Sequence, residues 1–215
     1  MSFLNQLKSQ AKALQSEQTQ VNSNLEENTR QCEEGCRFAL QYLQDLARQL
    51  NVISPQGGRF TLDGKTPWPA MKLTEFRVDA RKKMLRNREC FEYLAMGWRV
   101  VPQVGQPVGG VVSVNFPPDL ERVEARLAMG PVKHERKEIR HPEKNTLQAL
   151  QFSYITETRG NVVITPDHDE GILAFRLLNA SGFGIANSKW PAGKVKSDVL
   201  DELAKLIVGE PNSFG

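Results

Sequence analysis

Residues 1–50 contain no proline, and no glycine before Gly35, so no backbone breaker interrupts a helix there. Leu4, Leu7, Ala11, Leu14, Gln18, Val21 and Leu25 recur at alternating steps of three and four, the repeat of a coiled-coil seam. Asn28 and Cys32 keep the same phase. The residues between them are mainly Gln, Asn, Ser, Lys and Glu, which tolerate a helix and prefer water.

A stripe this narrow cannot stabilise a lone helix, because isolated helices draw most of their stability from packing. At about 1.5 Å per residue, a continuous helix over 1–50 would span roughly 75 Å, more than the width of a small domain. The N-terminal part therefore needs a second helix: another copy of the chain, a different helical protein, or itself folded back. A solvated helix with an imperfect stripe is the plain alternative. Leu4, Leu7, Leu14, Val21 and Leu25 are the expected association anchors within residues 1–34. Gln18 and Asn28 are polar at seam positions, where such residues set register and strand number.

Past Gly35 the pattern changes. Phe38, Ala39, Leu40, Tyr42, Leu43, Leu46, Ala47 and Leu50 form a broad apolar face, as on a helix lying against a core. The seam phase slips at the same place, and an interior glycine costs a helix about 1 kcal/mol against alanine. The expectation is a bend or break near Gly35. The chain then divides into a helix over 1–50, a linker over 51–70 and a β-rich domain over 71–215.

Thr74, Phe76, Val78 and Ala80 alternate with charged residues, predicting a strand with one wet face. Residues 91–101 are apolar on both faces, as in an interior strand, and 109–116 form another strand. In 120–129, Val123, Ala125, Leu127 and Met129 alternate with mostly charged residues. With Gly130-Pro131 as a turn, this reads as a hairpin whose charged return arm, 132–140, is an edge strand. A helix over 119–129 is the alternative, since Glu, Arg, Leu and Ala favour one. Residues 147–158 and 161–165 read as a hairpin about Arg159-Gly160, followed by a polar turn at 166–171 and an apolar strand over 172–178. A short strand is possible at 183–186. Ser197 or Asp198 caps a last helix, stopped by Gly209. Strands in series without intervening helices pair antiparallel. The class is α+β: a long coiled-coil-like N-terminal helix, then a mainly antiparallel sheet closed by a C-terminal helix.

Hydrophobic content of 40% and charged content of 25% are ordinary for a globular protein. No apolar run is long enough to cross a bilayer, and the N-terminus lacks the pattern of a secretory signal. Three cysteines, an odd number, argue with these features for a reducing compartment, and the cytoplasm is the expected location.

Few residues ask for chemistry. Arg77, Arg81, Lys82, Lys83, Arg86 and Arg88 could contact nucleic-acid phosphates, although a solvated hairpin tip would look the same. Asp167, His168, Asp169 and Glu170 gather three carboxylates around a histidine and are the candidates for a metal. Turn formation explains the same residue types. Cys32 and Cys36 lack two further nearby ligands for zinc and read as packing residues. The glycines at 105–110 and 182–184 have neither phosphate-loop nor nucleophile-elbow spacing, so no cofactor and no catalytic residue is indicated.

Three functions follow in order: a non-enzymatic scaffold that associates through its N-terminal helix; a nucleic-acid-associated protein using 77–88; and a ligand-binding or enzymatic α+β domain with a pocket in its sheet.

Overall fold

The computed structural model describes residues 3–214, with the Leu4 side chain outside the described set. Helix α1 runs from Phe3 to Ile53 without interruption, so there is no break at Gly35. The glycine has another cause. A Cβ there would lie 3.0 Å from the Ala192 carbonyl oxygen and 3.2 Å from a Leu173 methyl, so even a methyl group would press its neighbours back by a few tenths of an ångström. The apparent slip in phase is a change of period. Cys32, Cys36, Ala39, Leu43, Ala47 and Leu50 are buried at steps of four, three, four, four and three, the roughly 3.6-residue period of a straight helix on a core.

Among the described residues, eight antiparallel strands form two sheets. Strands β1 (Met71–Leu85), β2 (Arg88–Pro102), β6 (Thr158–Asp167), β7 (Ile172–Leu178) and β8 (Ile185–Pro191) make a five-stranded sheet in the order β1-β2-β6-β7-β8. Strands β3 (Gly109–Val114), β4 (His134–Arg140) and β5 (Leu147–Ile155) make a three-stranded sheet in the order β3-β5-β4. The second sheet, with helix α2 (Pro117–Met129), is an excursion of the chain between the adjacent strands β2 and β6. Helix α3 spans Ser197–Val208 and ends at Gly209, whose φ of 77° is the left-handed conformation that glycine adopts freely. Its N-cap is Lys196, without a side-chain cap bond, rather than Ser197 or Asp198. The α+β class, the long first helix, the antiparallel sheets and the closing helix are all present.

Two local readings are corrected. Residues 117–129 are helical, not a hairpin arm. Pro117 and Pro118 suit the first helical turn, and Leu120, Val123 and Leu127 fall on one helical face while Ala125 is exposed. The charged arm after it is an edge strand, β4, but it pairs with β5. Residues 147–158 and 161–165 do not form a hairpin either. β5 and β6 belong to different sheets, and Arg159-Gly160 lies inside β6. Any side chain at Gly160 would collide with the Trp98 ring on the neighbouring strand, so close packing explains this glycine.

The β1–β2 hairpin turns at Arg86-Asn87, both with positive φ as in a type I′ turn. β1 also carries a bulge, with Glu75 at φ 55° and a register shift between Thr74 and Arg77. The bulge switches the inward positions from Met71 and Leu73 to Phe76 and Val78. Asn51, in the last turn of α1, holds it: its side chain accepts from the Phe76 amide at 2.8 Å and donates to the Phe76 carbonyl at 2.9 Å. Residues 54–70 pack inward through Phe60, Leu62 and Trp68, and Trp68 stacks on Phe60 and Tyr154. One continuous core thus joins the second half of α1, both sheets, α2 and α3.

Candidate functional site: the helical arm and its root

Every described side chain between Phe3 and Asn24 is exposed. Leu7, Leu14 and Val21 are 45%, 66% and 51% exposed at seven-residue intervals, so they share one side of the helix. Side-chain hydrogen bonds along this arm are local: Ser16 to the Ala13 carbonyl, Thr19 to the Gln15 carbonyl, and Gln20 to Asn24. Of the expected anchors, Leu25 is half-buried at the root of the arm, and the Leu4 side chain lies outside the described residues.

Three elements meet at that root: α1 around residues 28–33, the β1–β2 hairpin, and the β6–β7 turn. Asn28 donates to the Asp169 carbonyl at 2.6 Å, and Arg86 bridges the Thr29 hydroxyl, at 3.0 Å, and the Asp169 carboxylate. The Cys32 thiol points at the Asp167 carbonyl, 3.3 Å away. Next to it, a Glu33 carboxylate oxygen accepts from the Phe91 amide at 2.8 Å and lies 3.2 Å from His168 Nε2. Cys90 and His168 are buried at 1% and 4% exposure. Donor atoms of Glu33, Cys90 and His168 all lie within 4.8 Å of one another.

Burial, and then the Glu33 carboxylate, push the Cys90 thiol above its ordinary range. Burial followed by the charges of Asp167 and Glu33 pushes Cys32 up to about 12. Both are held as thiols, unlike the exposed thiolates of reactive cysteines.

The residues singled out at 167–170 are not brought together. Asp167 accepts from the amides of Asp169 and Glu170, each at 3.2 Å, so it organises its own turn. Asp169 faces Arg86, and Glu170 is exposed. His168 alone of the four turns into the cluster. Nothing in the sequence marks Glu33, and Cys90 reads there only as a lone cysteine in a strand, distant from Cys32 and Cys36. Glu33 and Cys90 lie on different elements, and only the fold makes them neighbours.

The basic run is largely offset by its surroundings. Arg81 pairs with Glu92 at 3.0 Å, Lys82 with Glu89 at 3.1 Å, and Arg86 with Asp169. Arg77 lies 3.9 Å from Glu75, so among the described residues only Lys83 and Arg88 of the six carry no ion pair. Arg77 also lines an open groove of about 510 Å³ with Arg99, Arg159 and Asn161. There Arg99 is tied to Glu157 at 2.7 Å and to Glu75, so the groove is of mixed charge rather than a phosphate cradle. No helix among the described residues is long and apolar enough to cross a membrane.

Comparison with protein-family models, curated proteins and solved structures finds no match for this chain.

Proposed function

We propose that the protein is a non-enzymatic scaffold in which the arm of α1, residues 3–25, joins one copy of the chain to another. The observation that carries this reading is the exposed heptad of Leu7, Leu14 and Val21 on a helical segment whose described side chains leave the folded body alone. A helix of that length, rich in Gln, Asn and Ser, is marginal in water without a partner. Fully burying a Leu or Val side chain is worth about 1.5–3 kcal/mol, so pairing the stripe supplies the missing stabilisation.

A second copy fits better than an unlike helix because of the flanking positions. Beside a seam of Leu4, Leu7, Ala11, Leu14, Gln18, Val21 and Leu25, the rim positions Phe3, Lys8, Gln10, Gln15, Glu17, Asn22 and Asn24 include only Lys8 and Glu17 as charges. An identical partner therefore meets little like-charge repulsion, and Gln18 finds a hydrogen-bonding equal across an in-register pair. Absolute mass by light scattering tests this. The native chain is expected to be an oligomer, and Leu7→Glu with Leu14→Glu should give a monomer whose β-sheet domain stays folded. A native monomer, or an oligomer indifferent to both substitutions, would refute the reading.

A further inference from the structure

Glu33 on α1, Cys90 on β2 and His168 in the β6–β7 turn converge on one point, and we propose that together they bind a divalent transition-metal ion of the Zn²⁺ type. The site goes beyond the scaffold reading and stands whether or not the arm self-associates.

The donor set is the first argument. One carboxylate oxygen, one thiol sulfur and one imidazole nitrogen suit Zn²⁺ and its neighbours, whereas Ca²⁺ and Mg²⁺ ask for oxygen alone. Geometry is the second. Zinc binds N and O at about 2.0–2.2 Å and S at about 2.3 Å, which sets tetrahedral ligand atoms about 3.3–3.6 Å apart. Glu33 Oε1 and His168 Nε2 are already 3.2 Å apart, and the three donor atoms fit inside 4.8 Å. The third is preorganisation. The Phe91 amide fixes the Glu33 carboxylate at 2.8 Å, so the residue following Cys90 orients the oxygen beside the sulfur.

Charge closes the argument. On binding, the Cys90 thiol releases its proton to solvent and the resulting thiolate forms the metal–sulfur bond. His168 donates its Nε2 lone pair with its proton on Nδ1, and Glu33 binds as the carboxylate. The two anionic ligands cancel the ion's two positive charges inside a buried site, and no electron is transferred. The fourth tetrahedral position is left for water. Such an ion would tie α1 to both hairpins at the root of the arm, making the seating of the arm metal-dependent.

The test is titration of the reduced, metal-stripped full chain with Co²⁺, then displacement by Zn²⁺. The expected result is one Co²⁺ per chain, with intense visible d–d bands of a tetrahedral site and a thiolate-to-metal charge-transfer band. Zn²⁺ should abolish both and raise Tm. Cys90→Ser should remove the charge-transfer band. Glu33→Gln retains an acceptor for the Phe91 amide, so it should keep the fold and that band while weakening affinity by roughly 10–100-fold or more. The site is overturned by absence of stoichiometric uptake, by uptake without the thiolate band, or by a band that survives Cys90→Ser and disappears in Cys32→Ser. Should Cys90→Ser fail to fold, an affinity unchanged in Glu33→Gln overturns it equally.

Discussion

The two halves of α1 share one backbone and opposite surroundings. From Thr29 to Leu50 its inward residues are buried against the five-stranded sheet, the turn at Ala192–Lys194 and α3. From Phe3 to Asn24 the described side chains are exposed. Both halves are amphipathic. The buried half, however, has a broad face and small residues, Cys32, Gly35, Cys36 and Ala39, where neighbours come close. The exposed half has a narrow stripe of Leu and Val in a polar helix. An apolar stripe therefore marks that a helix needs a partner, while its width and side-chain size distinguish a partner in the same fold from one outside it.

The largest expected effect contrasts the two halves directly. Leu43→Ala should cost about 2–5 kcal/mol in chemical denaturation, because Leu43 is fully buried in the core. Leu14→Ala should leave the unfolding of the folded body within about 0.5 kcal/mol, as at other exposed positions, once mass has been measured in parallel. Comparable losses at both positions would erase the distinction between the halves.

Gly35→Ala sharpens the comparison by its sign. Helix propensity alone predicts a gain of about 1 kcal/mol. The added methyl meets the Ala192 carbonyl, however, and overpacking of this kind costs about 1–3 kcal/mol. A net loss of about 1 kcal/mol is expected; a rise in Tm would mean that α1 does not approach the chain at Ala192 so closely.

Tyr42 provides the smallest and most selective probe. Its hydroxyl donates to Asp201 on α3 at 2.6 Å, and burial, then that carboxylate, hold the phenol protonated well above its usual range. The folded chain thus binds this proton more tightly than the unfolded chain. Its contribution is complete below about pH 10, the ordinary tyrosine value, and is lost as pH rises beyond it. Tyr42→Phe should cost about 1 kcal/mol at neutral pH, and the difference from the parent should shrink above about pH 10. A difference constant across that range would show that the hydroxyl makes no special contact.

Local periodicity determined much of this protein in advance: the long helix, the strands at 71–85, 88–102, 109–114 and 172–178, the β6–β7 turn and the closing helix. Each rests on side-chain patterns spanning a few residues, and such patterns are written in the chain. Residues 117–129 show where that runs out, because Leu120, Val123 and Leu127 suit a helix while Val123, Ala125 and Leu127 alternate like a strand. Gly35 and Gly160 show it again. Glycine is the same residue whether the chain must turn or a neighbour must come close, and here the neighbours Ala192 and Trp98 decide.

Only the tertiary structure assigned β5 and β6 to different sheets, and only it brought Glu33, Cys90 and His168 together. Strand pairing and side-chain convergence are contacts between residues far apart in sequence. Their energies depend on the whole packed arrangement, and no local pattern records them.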